Sequence, residues 1–436
     1  MKHEPLPWLE PRSLARVLAA RFGQDGLVLL DGDSSPLGRR GVLGVDPVAC
    51  VSCRGLPDTP GAGDPFAVLA ELERQGGPWL GWLAYEAGAW VEPAEHWQCS
   101  DMATLWAARH DPLIHFDRGE QRLWLEGHDP ARMAAMVRLL ADPATAAAVA
   151  AEVAADGAGI ARDDWHWHTT PEAFAAQVRI LREWIAAGDL FQANLTACCE
   201  SLRPQRADPL MLYHRLVRHG PAPFAGLAIA GEEAVISASP ERFLHLHADG
   251  RVETRPIKGT RPRDGDPDAD AASAAALICD PKDRAENVMI VDLLRNDLGR
   301  VCLPGSVHVP QLLGLESYAH VHHLTSVVMG QLADGCGLVD LLRACWPGGS
   351  ITGAPKVRAC RRLNQLEPVP RGPYCGSLFH LGADGGFDSS ILIRTLLQKG
   401  RRLRLHAGGG IVADSDPAGE AREMGWKIEP LLEALA

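Results

Sequence analysis

The sequence predicts a mixed α/β fold of the α+β type, in which strands and helices follow one another without a regular period. Short apolar runs bounded by glycine, proline and aspartate indicate strands in the first 128 residues. From residue 222 onward, strand-like and helix-like segments mix, which argues against a Rossmann sheet and a (β/α)8 barrel. The chain has 436 residues, 46% of them hydrophobic, which is enough for two or three average domains or one large composite domain.

The N-terminal part is predicted to be rich in strands. The predicted strands are 26–33, 41–53 and 78–86. Residues 129–158 are rich in alanine, which favours helix, and Pro143 interrupts them. We therefore expect two helical pieces that connect an N-terminal region, residues 1–155, to a second domain, residues 156–436.

The second domain opens with an amphipathic helix over residues 169–189. Thr170 is its expected N-cap, Pro171 occupies the first helical position, and Gly188 ends it. The elements that follow are irregular in order. They are a strand at 191–199, hairpin strands at 224–259, a helix at 280–301, a strand at 321–332, a helix at 337–346, a hairpin at 386–412 and a final helix at 416–435.

Charge and cysteine content limit the possible environments and partners. The net charge of -12 argues against a nucleic-acid groove and against an anionic membrane surface. The first residues lack the pattern of a signal peptide, and no apolar run approaches the roughly 20 residues that span a bilayer. Cys50 and Cys53 form a lone C-x-x-C among eleven scattered cysteines, without a second pair at metal-binding distance. We expect buried, reduced thiols and a cytoplasmic protein.

Two acidic helix segments are candidates for a cation site. Asp283 and Glu286 are three residues apart and share a helix face, and Glu420 and Glu423 repeat that spacing, with Lys427 four residues later. If the two faces met, their oxygens would suit Mg²⁺, which accepts one or two carboxylates, waters and an anionic substrate. The alternative is that acids in the first turn of each helix only oppose the helix dipole.

Lys258 is a candidate nucleophile. It lies in the basic segment TRPIKGTRPR, between Ile257 and Gly259. A lysine held out of water in a tight turn can attack as an amine. The alternative is a solvated loop lysine.

Arg394 is a candidate for binding a substrate carboxylate. It stands in ILIRTLL, which is predicted to be an apolar strand, where an isolated arginine needs an anionic partner. A structural ion pair with another side chain explains it equally well. The turn CWPGGSITGAPKVRA lacks the lysine and hydroxyl of a phosphate loop, but the hydroxyls of Ser350 and Thr352 near a helix start would suit a carboxylate.

Three glycines and three histidines complete the candidates. The glycines of HAGGGIV either form a bulge or let a ligand approach the backbone. His320, His322 and His323 are close in sequence, but alternation along a strand sends neighbours to opposite faces, so a metal site from all three is not expected. One of them could act as an acid or base, or be a half-exposed strand residue.

Taken together, these segments resemble the chorismate-utilising enzymes, a family that includes anthranilate synthase and aminodeoxychorismate synthase component I. The matching stretches span about residues 185–430. They are SPERF, TRPIKGTRPR, DRAENVMIVDLLRNDLGRV, YAHVHHLTS, PGGSITGAPKVRA, RGPYCGS, DSSILIRTL and GGGIVADSDP. The first 150 residues match more weakly, mainly through LLDGDSS and GVDP, and LLDGDSS stands where some relatives bind tryptophan.

The resemblance implies a two-domain fold with a β-sandwich core, surrounding helices and an active site in the C-terminal half. It implies that Mg²⁺ bridges the chorismate carboxylate to Glu286 and Glu423, with Asp283 and Glu420 supporting the site from one turn earlier. His323 and Ser350 would line the ring, although anthranilate synthases usually carry threonine where Ser350 stands. The residues implied to hold the substrate carboxylates are Tyr374, Arg394, Gly408, Gly409, Gly410 and Lys427.

Two positions separate the members of the family. Lys258 matches the PIKGT form of the aminodeoxychorismate synthases, whereas anthranilate synthases resemble PIAGT, and Gln192 in FQANL matches the ammonia-using members. The resemblance thus implies amination of chorismate at C4, with Lys258 as nucleophile and Glu241 as acid, to give 4-amino-4-deoxychorismate for p-aminobenzoate and folate. Since no glutaminase signature is visible, ammonia is expected from a glutamine amidotransferase subunit in a heterodimer. The alternatives are anthranilate synthase component I, which aminates at C2, and a non-catalytic carboxylate-binding relative.

Overall fold

The computed structural model describes residues 2–93, 96–152, 159–318 and 321–436. The helices are α1 (Pro11–Phe22), α2 (Pro65–Gln75), α3 (Pro130–Leu140), α4 (Pro143–Ala151), α5 (Pro171–Ala186), α6 (Pro209–His219), α7 (Pro267–Cys279), α8 (Pro281–Gly299), α9 (Leu338–Cys345), α10 (Lys356–Leu366) and α11 (Pro417–Leu435). The strands that begin before residue 200 are β1 (Lys2–Leu6), β2 (Val28–Leu30), β3 (Arg40–Gly44), β4 (Ala49–Cys53), β5 (Trp79–Leu83), β6 (Leu105–Arg109), β7 (Leu113–Asp117), β8 (Arg122–Gly127), β9 (His166–Trp167) and β10 (Gln192–Leu202). The later strands are β11 (Phe224–Ala230), β12 (Glu233–Ser239), β13 (Arg242–Leu246), β14 (Arg251–Arg255), β15 (Ile257–Pro262), β16 (His308–Ser317), β17 (Val321–Gln331), β18 (Gly353–Ala354), β19 (Ser377–Leu381), β20 (Phe387–Ile391), β21 (Thr395–Lys399) and β22 (Arg402–Ile411).

The strands form two antiparallel sheets. The larger sheet has the order β1-β8-β7-β3-β2-β11-β12-β21-β22-β10-β18, with β9 on β10. The smaller sheet has the order β15-β17-β14-β13-β20-β19-β5-β6-β4, with β16 on β17. Each sheet has one seam between early and late strands, at β2–β11 in the larger sheet and at β5–β19 in the smaller one. Both parts of the chain therefore contribute to both sheets, and the predicted division into residues 1–155 and 156–436 stays a prediction.

The two sheets pack face to face, as the predicted sandwich requires. Side chains alternate along the strands, so Val28 and Val42 lie in the core between the sheets, together with Trp82 of the smaller sheet. Their neighbours Leu29 and Leu43 face the opposite way, into a second core. That second core is closed by side chains from helices α1, α5, α6 and α11. The mixed α+β sandwich with surrounding helices is confirmed.

Most predicted elements of the second domain are confirmed, and their helices begin at residues that cap them. Thr170 accepts a hydrogen bond from the backbone N–H of Ala173 at 3.2 Å at the start of α5. Asp280 caps α8 and Asp416 caps α11, each followed by a proline at the first helical position. The alanine-rich segment forms the two expected helices, α3 and α4. Helices α1 and α2 were not expected in the strand-rich N-terminal part.

The predicted hairpin at 386–412 is wrong in its first half. The run GFDSSILIRTLLQ forms two strands, of which β20 belongs to the smaller sheet and only β21 pairs with β22. Arg394 stands between them with φ of 50°, at the corner where the chain passes from one sheet to the other. The expectation that Arg394 lies inside a strand is therefore wrong.

The cysteines are all free, but they are not all buried as expected. Cys50, Cys99 and Cys279 are exposed. For Cys50 the reason is the alternation of side chains along β4, which turns Cys50 outward and buries Cys53. Along the described ranges, no single helix is long and apolar enough to cross a membrane; the bent pair of α3 and α4 meets that test only together, across a 61° break.

Candidate active site

The three glycines of β22 bring the two acidic helices together. A Cβ atom on Gly410 would lie 3.1 Å from Oε2 of Glu286, which belongs to α8. A Cβ atom on Gly409 would lie 3.6 Å from carboxylate oxygens of both Glu420 and Glu423, which belong to α11. The predicted meeting of the two helix faces is thus observed, across a strand that leaves room for carboxylates because it carries no side chains.

The glycine strand is regular rather than bulged. Gly408, Gly409 and Gly410 pair in continuous register with Thr196, Leu195 and Asn194 of β10. A Cβ atom on Gly408 would lie 2.0 Å from the Leu195 carbonyl oxygen, so this glycine is required by the neighbouring backbone. The interpretation as a bulge is therefore wrong, and the approach of a ligand to this backbone stays a prediction.

The acidic side chains affect one another electrostatically. Burial raises the pKa of Glu286, and the negative charge of Glu423 adds to this effect while Lys258 and Lys282 oppose it. Burial likewise raises the pKa of Asp283. For Glu423 burial acts in the same direction, but the ammonium groups of Lys427 and Lys282 lower the pKa overall. These couplings are those of one shared negative site.

Three lysines, Lys427, Lys282 and Lys258, bring positive charge to this site. The Lys427 ammonium lies 2.8 Å from Glu423 Oε1 and donates to the Gly408 carbonyl at 2.9 Å. The Lys282 ammonium donates to Glu420 Oε1 at 3.0 Å. Sequence reasoning missed Lys282, because a lysine four residues before a glutamate reads as an ordinary surface pair on a helix. Over the described ranges, no three Asp, Glu, His or Cys side chains are arranged to hold a metal ion by themselves.

Lys258 belongs to the same pocket. It lies on β15, beside Gly259, whose φ of 86° re-aims the strand where its register against β17 shifts. Its side chain is 14% exposed and its ammonium lies 3.9 Å from Glu286 Oε2. The interpretation as a solvated loop lysine is therefore wrong.

Glu241 lies near Lys258, and Ser350 lies beside Glu241. Glu241 and Ser350 are both buried. Burial raises the pKa of Glu241 to about 7, against the opposing effects of a hydrogen bond from Ser350 and of the Lys258 charge. Near neutral pH this carboxyl group can therefore carry a proton to donate. The Thr352 hydroxyl is used locally, because it donates to the Gly348 carbonyl at 2.9 Å.

His323 is buried and neutral. Its Nδ1 lies 2.8 Å from the Thr260 hydroxyl, and burial together with the Arg394 charge lowers its pKa to about 3. His322 faces the other way, towards Ser317 and Asp270. The alternation expected for these histidines is observed, whereas His323 is not a half-exposed residue. His320 lies outside the described residues.

Arg394 supplies positive charge without a matching acid. In the described part of the chain no carboxylate pairs with its guanidinium, and the one cause that shifts its pKa is burial, which lowers it. Of the two interpretations of this arginine, the structural ion pair finds no partner. Tyr374 is buried and its ring stacks on His406, with ring centroids 4.8 Å apart, two residues before Gly408.

Gln192 is fully buried, and neither its Oε1 nor its Nε2 has a hydrogen-bond partner within the described residues. A Cβ atom on Gly410 would lie 2.4 Å from that Nε2. A buried amide without partners is costly, so it indicates a place where a ligand completes the hydrogen bonding. This amide lies beside Glu286, at the inner end of the acidic pocket.

A buried ion pair supports the strand that carries Gln192. The Arg371 guanidinium binds both carboxylate oxygens of Glu367, at 2.8 and 2.7 Å, and donates to the backbone carbonyls of Ile351 and Asn194. Sequence reasoning missed both residues. They join β10 to the glycine-rich turn that presents Ser350.

The segment LLDGDSS is bound by the protein's own side chains. Asp31 is buried, and its carboxylate accepts hydrogen bonds from Arg12, Arg118 and Tyr213. These contacts satisfy its charge without any added ligand.

The candidate residues lie between positions 192 and 427, and the sequence profile described as chorismate binding enzyme matches residues 57–433. The chain belongs to this family. Among chorismate-binding enzymes it is similar to aminodeoxychorismate synthase component 1 of Klebsiella aerogenes, with 46% identity over 271 residues, which is 62% of this chain and 59% of that protein. It is also similar to anthranilate synthase component 1 of Streptomyces coelicolor, with 40% identity over 420 residues, which is 90% of this chain and 81% of that protein.

The family fold is also seen in a solved structure. Anthranilate synthase component I from Streptococcus pneumoniae superposes with a TM-score of 0.76 at 28% identity, covering 92% of this chain and 93% of that one. The chain spans between 50% and 59% of the length of the aminodeoxychorismate synthases it matches.

Proposed function

We propose that this chain aminates chorismate at C4, as an aminodeoxychorismate synthase component I that serves p-aminobenzoate and folate synthesis. The observation that carries the proposal is the position of Lys258, which lies in the acidic pocket 3.9 Å from Glu286 and close enough to Glu241 to affect its pKa. A nucleophilic amine with a protonated acid beside it suits a displacement at the ring. The names of several relatives support the same assignment.

The donor atoms of the pocket suit Mg²⁺. Carboxylate oxygens from α8 approach Gly410 and those from α11 approach the adjacent Gly409, and Mg²⁺ prefers such oxygens together with waters and an anionic substrate. In this proposal Glu286 and Glu423 hold the ion, and Asp283 and Glu420 support it from one turn earlier. When bound, the ion neutralises the chorismate carboxylate attached to the ring.

The substrate is a dianion, which a protein of net charge -12 must hold with local positive groups. Arg394 is the strongest of these in the proposal, because its guanidinium carries two parallel donors and has no carboxylate of its own. Lys427, Tyr374 and the backbone of the three glycines of β22 complete the binding of the carboxylates.

The proposed reaction has two displacements. The Lys258 amine attacks C2 while the C4 hydroxyl takes a proton from Glu241 and leaves as water, with the ring double bonds shifting between the two carbons. Ammonia then forms a bond to C4 and gives a proton to the Glu241 carboxylate, while the bond from C2 to Lys258 breaks and returns the lysine amine. His323 and Ser350 fix the ring, and the unpartnered amide of Gln192 adjoins the position at which ammonia arrives.

Replacement of Lys258 tests this proposal. Lys258→Ala should abolish formation of 4-amino-4-deoxychorismate from chorismate, Mg²⁺ and ammonium, and Lys258→Arg, which keeps the charge but not the nucleophilic amine, should be equally inactive. Mass spectrometry of the wild-type protein with chorismate should show the covalent adduct. Activity of Lys258→Arg close to that of the wild type would contradict a nucleophilic lysine.

Anthranilate synthesis is the second candidate function. The observation that favours it is the Streptomyces coelicolor relative, which is matched over most of its length. The same incubation distinguishes the two, because anthranilate is a fluorescent aromatic product and 4-amino-4-deoxychorismate, which has no aromatic ring, lacks that fluorescence. Binding of chorismate without turnover would instead indicate a non-catalytic carboxylate-binding relative.

The proposal includes a partner that supplies ammonia. The name of the Klebsiella aerogenes relative, a component 1, supports a second component, which in this proposal is a glutamine amidotransferase subunit forming a heterodimer. The purified chain should then use ammonium salts but not glutamine. Glutamine-dependent turnover by the purified chain would exclude the need for that subunit.

A further inference from the structure

Lys282 forms a bridge between the two acidic helices. It lies in the first turn of α8, where its backbone N–H donates to the Asp280 cap at 3.0 Å. Its ammonium donates to Glu420 Oε1 of α11 at 3.0 Å and lies 3.9 Å from Glu286 Oε1. Within the described ranges, this is the one ion pair that joins α8 directly to α11.

The bridge lies among charges that repel one another. Glu286, Glu420 and Glu423 approach the glycine strand, and Asp283 approaches Gly259 beside Lys258. The negative charges of Glu423 and Asp283 raise the pKa of Glu286, and that of Glu423 raises the pKa of Asp283. Lys282 lies within ion-pair distance of acids on both helices, whereas Lys427 pairs with Glu423 of its own helix and Lys258 pairs with Glu286 of α8. An ammonium in that position relieves the repulsion between the helices.

We propose that Lys282 is a displaceable counter-ion: its ammonium neutralises the acids of α8 and α11 while no cation is bound, and it leaves them for solvent when a divalent cation binds. The inference rests on the cation site of the proposed function. The new element is that the Lys282 ammonium occupies the site when no metal is bound and therefore competes with the metal for the same carboxylates.

The surroundings of Lys282 allow this exchange. Its side chain is 46% exposed, so the ammonium can turn into water, whereas the Lys356 side chain, which is 12% exposed in its pair with Asp297, cannot. Glu420 keeps its orientation after the lysine leaves, because the Ser415 hydroxyl donates to the same Oε1 at 2.6 Å. The buried amide of Gln192 marks the pocket as one that a ligand completes.

If a cation displaces Lys282, removal of this lysine should strengthen cation binding. A cation that binds the wild-type protein must first break the hydrogen bond between Lys282 and Glu420, whereas a cation that binds Lys282→Gln does not. The variant should therefore bind Mg²⁺ about tenfold more tightly, which is the size expected for one charged hydrogen bond of moderate strength. A lysine that merely positions the acids would give the opposite result.

The test is calorimetric titration of the purified chain with MgCl₂ alone. Lys282→Gln should bind about tenfold more tightly than the wild type, and Lys282→Arg, which keeps the charge, should bind like the wild type. Arg284→Gln is the matched control, because Arg284 is an exposed cation on the same turn whose side chain, among the residues the structure describes, donates only to the Ile278 carbonyl. Its affinity should stay unchanged.

Thermal unfolding gives a second measurement that does not depend on catalysis. In EDTA, Lys282→Gln should unfold at a lower temperature than the wild type, and Mg²⁺ should stabilise the variant more than it stabilises the wild type. Equal or weaker Mg²⁺ binding by Lys282→Gln, with normal binding by the wild type, would overturn this inference alone. Binding by neither protein would overturn it together with the cation site of the proposed function.

Discussion

The ammonium group of Lys258 lies 3.9 Å from a carboxylate oxygen of Glu286, so an edge strand of the smaller sheet and helix α8 meet at one pocket. This separation exceeds the length of a hydrogen bond, which leaves the lysine free to turn towards a ligand. A proposed nucleophile and a proposed cation ligand thus occupy the same pocket, and the predictions below address the groups around them.

Replacing Glu241 by glutamine should change the dependence of turnover on pH. Because burial raises the pKa of Glu241 from 4.5 to about 7, the native carboxyl group keeps its proton up to neutral pH, and kcat/KM of the wild type should fall as pH rises through about 7. Glu241→Gln should lose this limb and be slower by about 10²- to 10⁴-fold. The measurement is the pH profile of chorismate consumption.

The same substitution has a signature in stability. Between pH 4.5 and about 7 the folded protein holds a proton on Glu241 that the unfolded chain has released, so the free energy of unfolding should decline as pH rises across this range. Glu241→Gln should remove that decline. If the fall of kcat/KM above about pH 7 persisted unchanged in Glu241→Gln, a group other than Glu241 would be responsible for it.

Replacing Arg394 by glutamine should weaken chorismate binding without destabilising the fold. Its buried charge has no carboxylate partner in the described part of the chain, so its loss removes a cost of burial rather than an ion pair. KM for chorismate should rise about 10- to 100-fold, and Arg394→Lys, which lacks the planar pair of donors, should fall in between. Urea denaturation supplies the control: a large loss of stability would indicate that Arg394 has a structural role.

Alanine substitutions along β22 should have different effects at neighbouring positions. Gly408→Ala forces a Cβ atom against the Leu195 carbonyl oxygen and should lower the free energy of unfolding by at least about 1–3 kcal/mol. Gly409→Ala is the matched control, since its nearest neighbour is the Lys427 ammonium at 3.4 Å. Gly410→Ala collides with the Gln192 amide and should impair ligand binding most. Equal stability of the first two variants, measured in urea, would contradict the backbone contact.

Removing one partner of the buried pair of Arg371 and Glu367 should be strongly destabilising. Arg371→Met leaves the Glu367 carboxylate buried and unpaired, which costs about 3–5 kcal/mol of unfolding free energy. Replacing both residues by apolar ones should recover much of that loss. If Arg371→Met unfolds at the same urea concentration as the wild type, the pair does not hold β10 to the glycine-rich turn.

Local features of the site could be predicted from sequence, and its long-range features could not. Spacing placed Asp283 with Glu286 on one helix face, and the Asp-Pro starts of α8 and α11 fixed where those faces begin. Only folding brings the two helices together at the glycine strand, since no local pattern encodes a contact between residues more than a hundred positions apart. The corner at Arg394 was hidden for a related reason, because the apolar run continues unbroken through the point where the chain changes sheets.

The two sheet seams have a consequence for how the chain can be divided. At β2–β11 and at β5–β19, one edge of a late strand is paired with a strand from the first 90 residues. A fragment that began after the alanine-rich helices would therefore expose unpaired backbone amides and carbonyls at a strand edge of both sheets. Such edges pair with other chains and promote aggregation. The catalytic candidates lie between residues 192 and 427, yet the two sheets that position them are completed by strands from the first 90 residues.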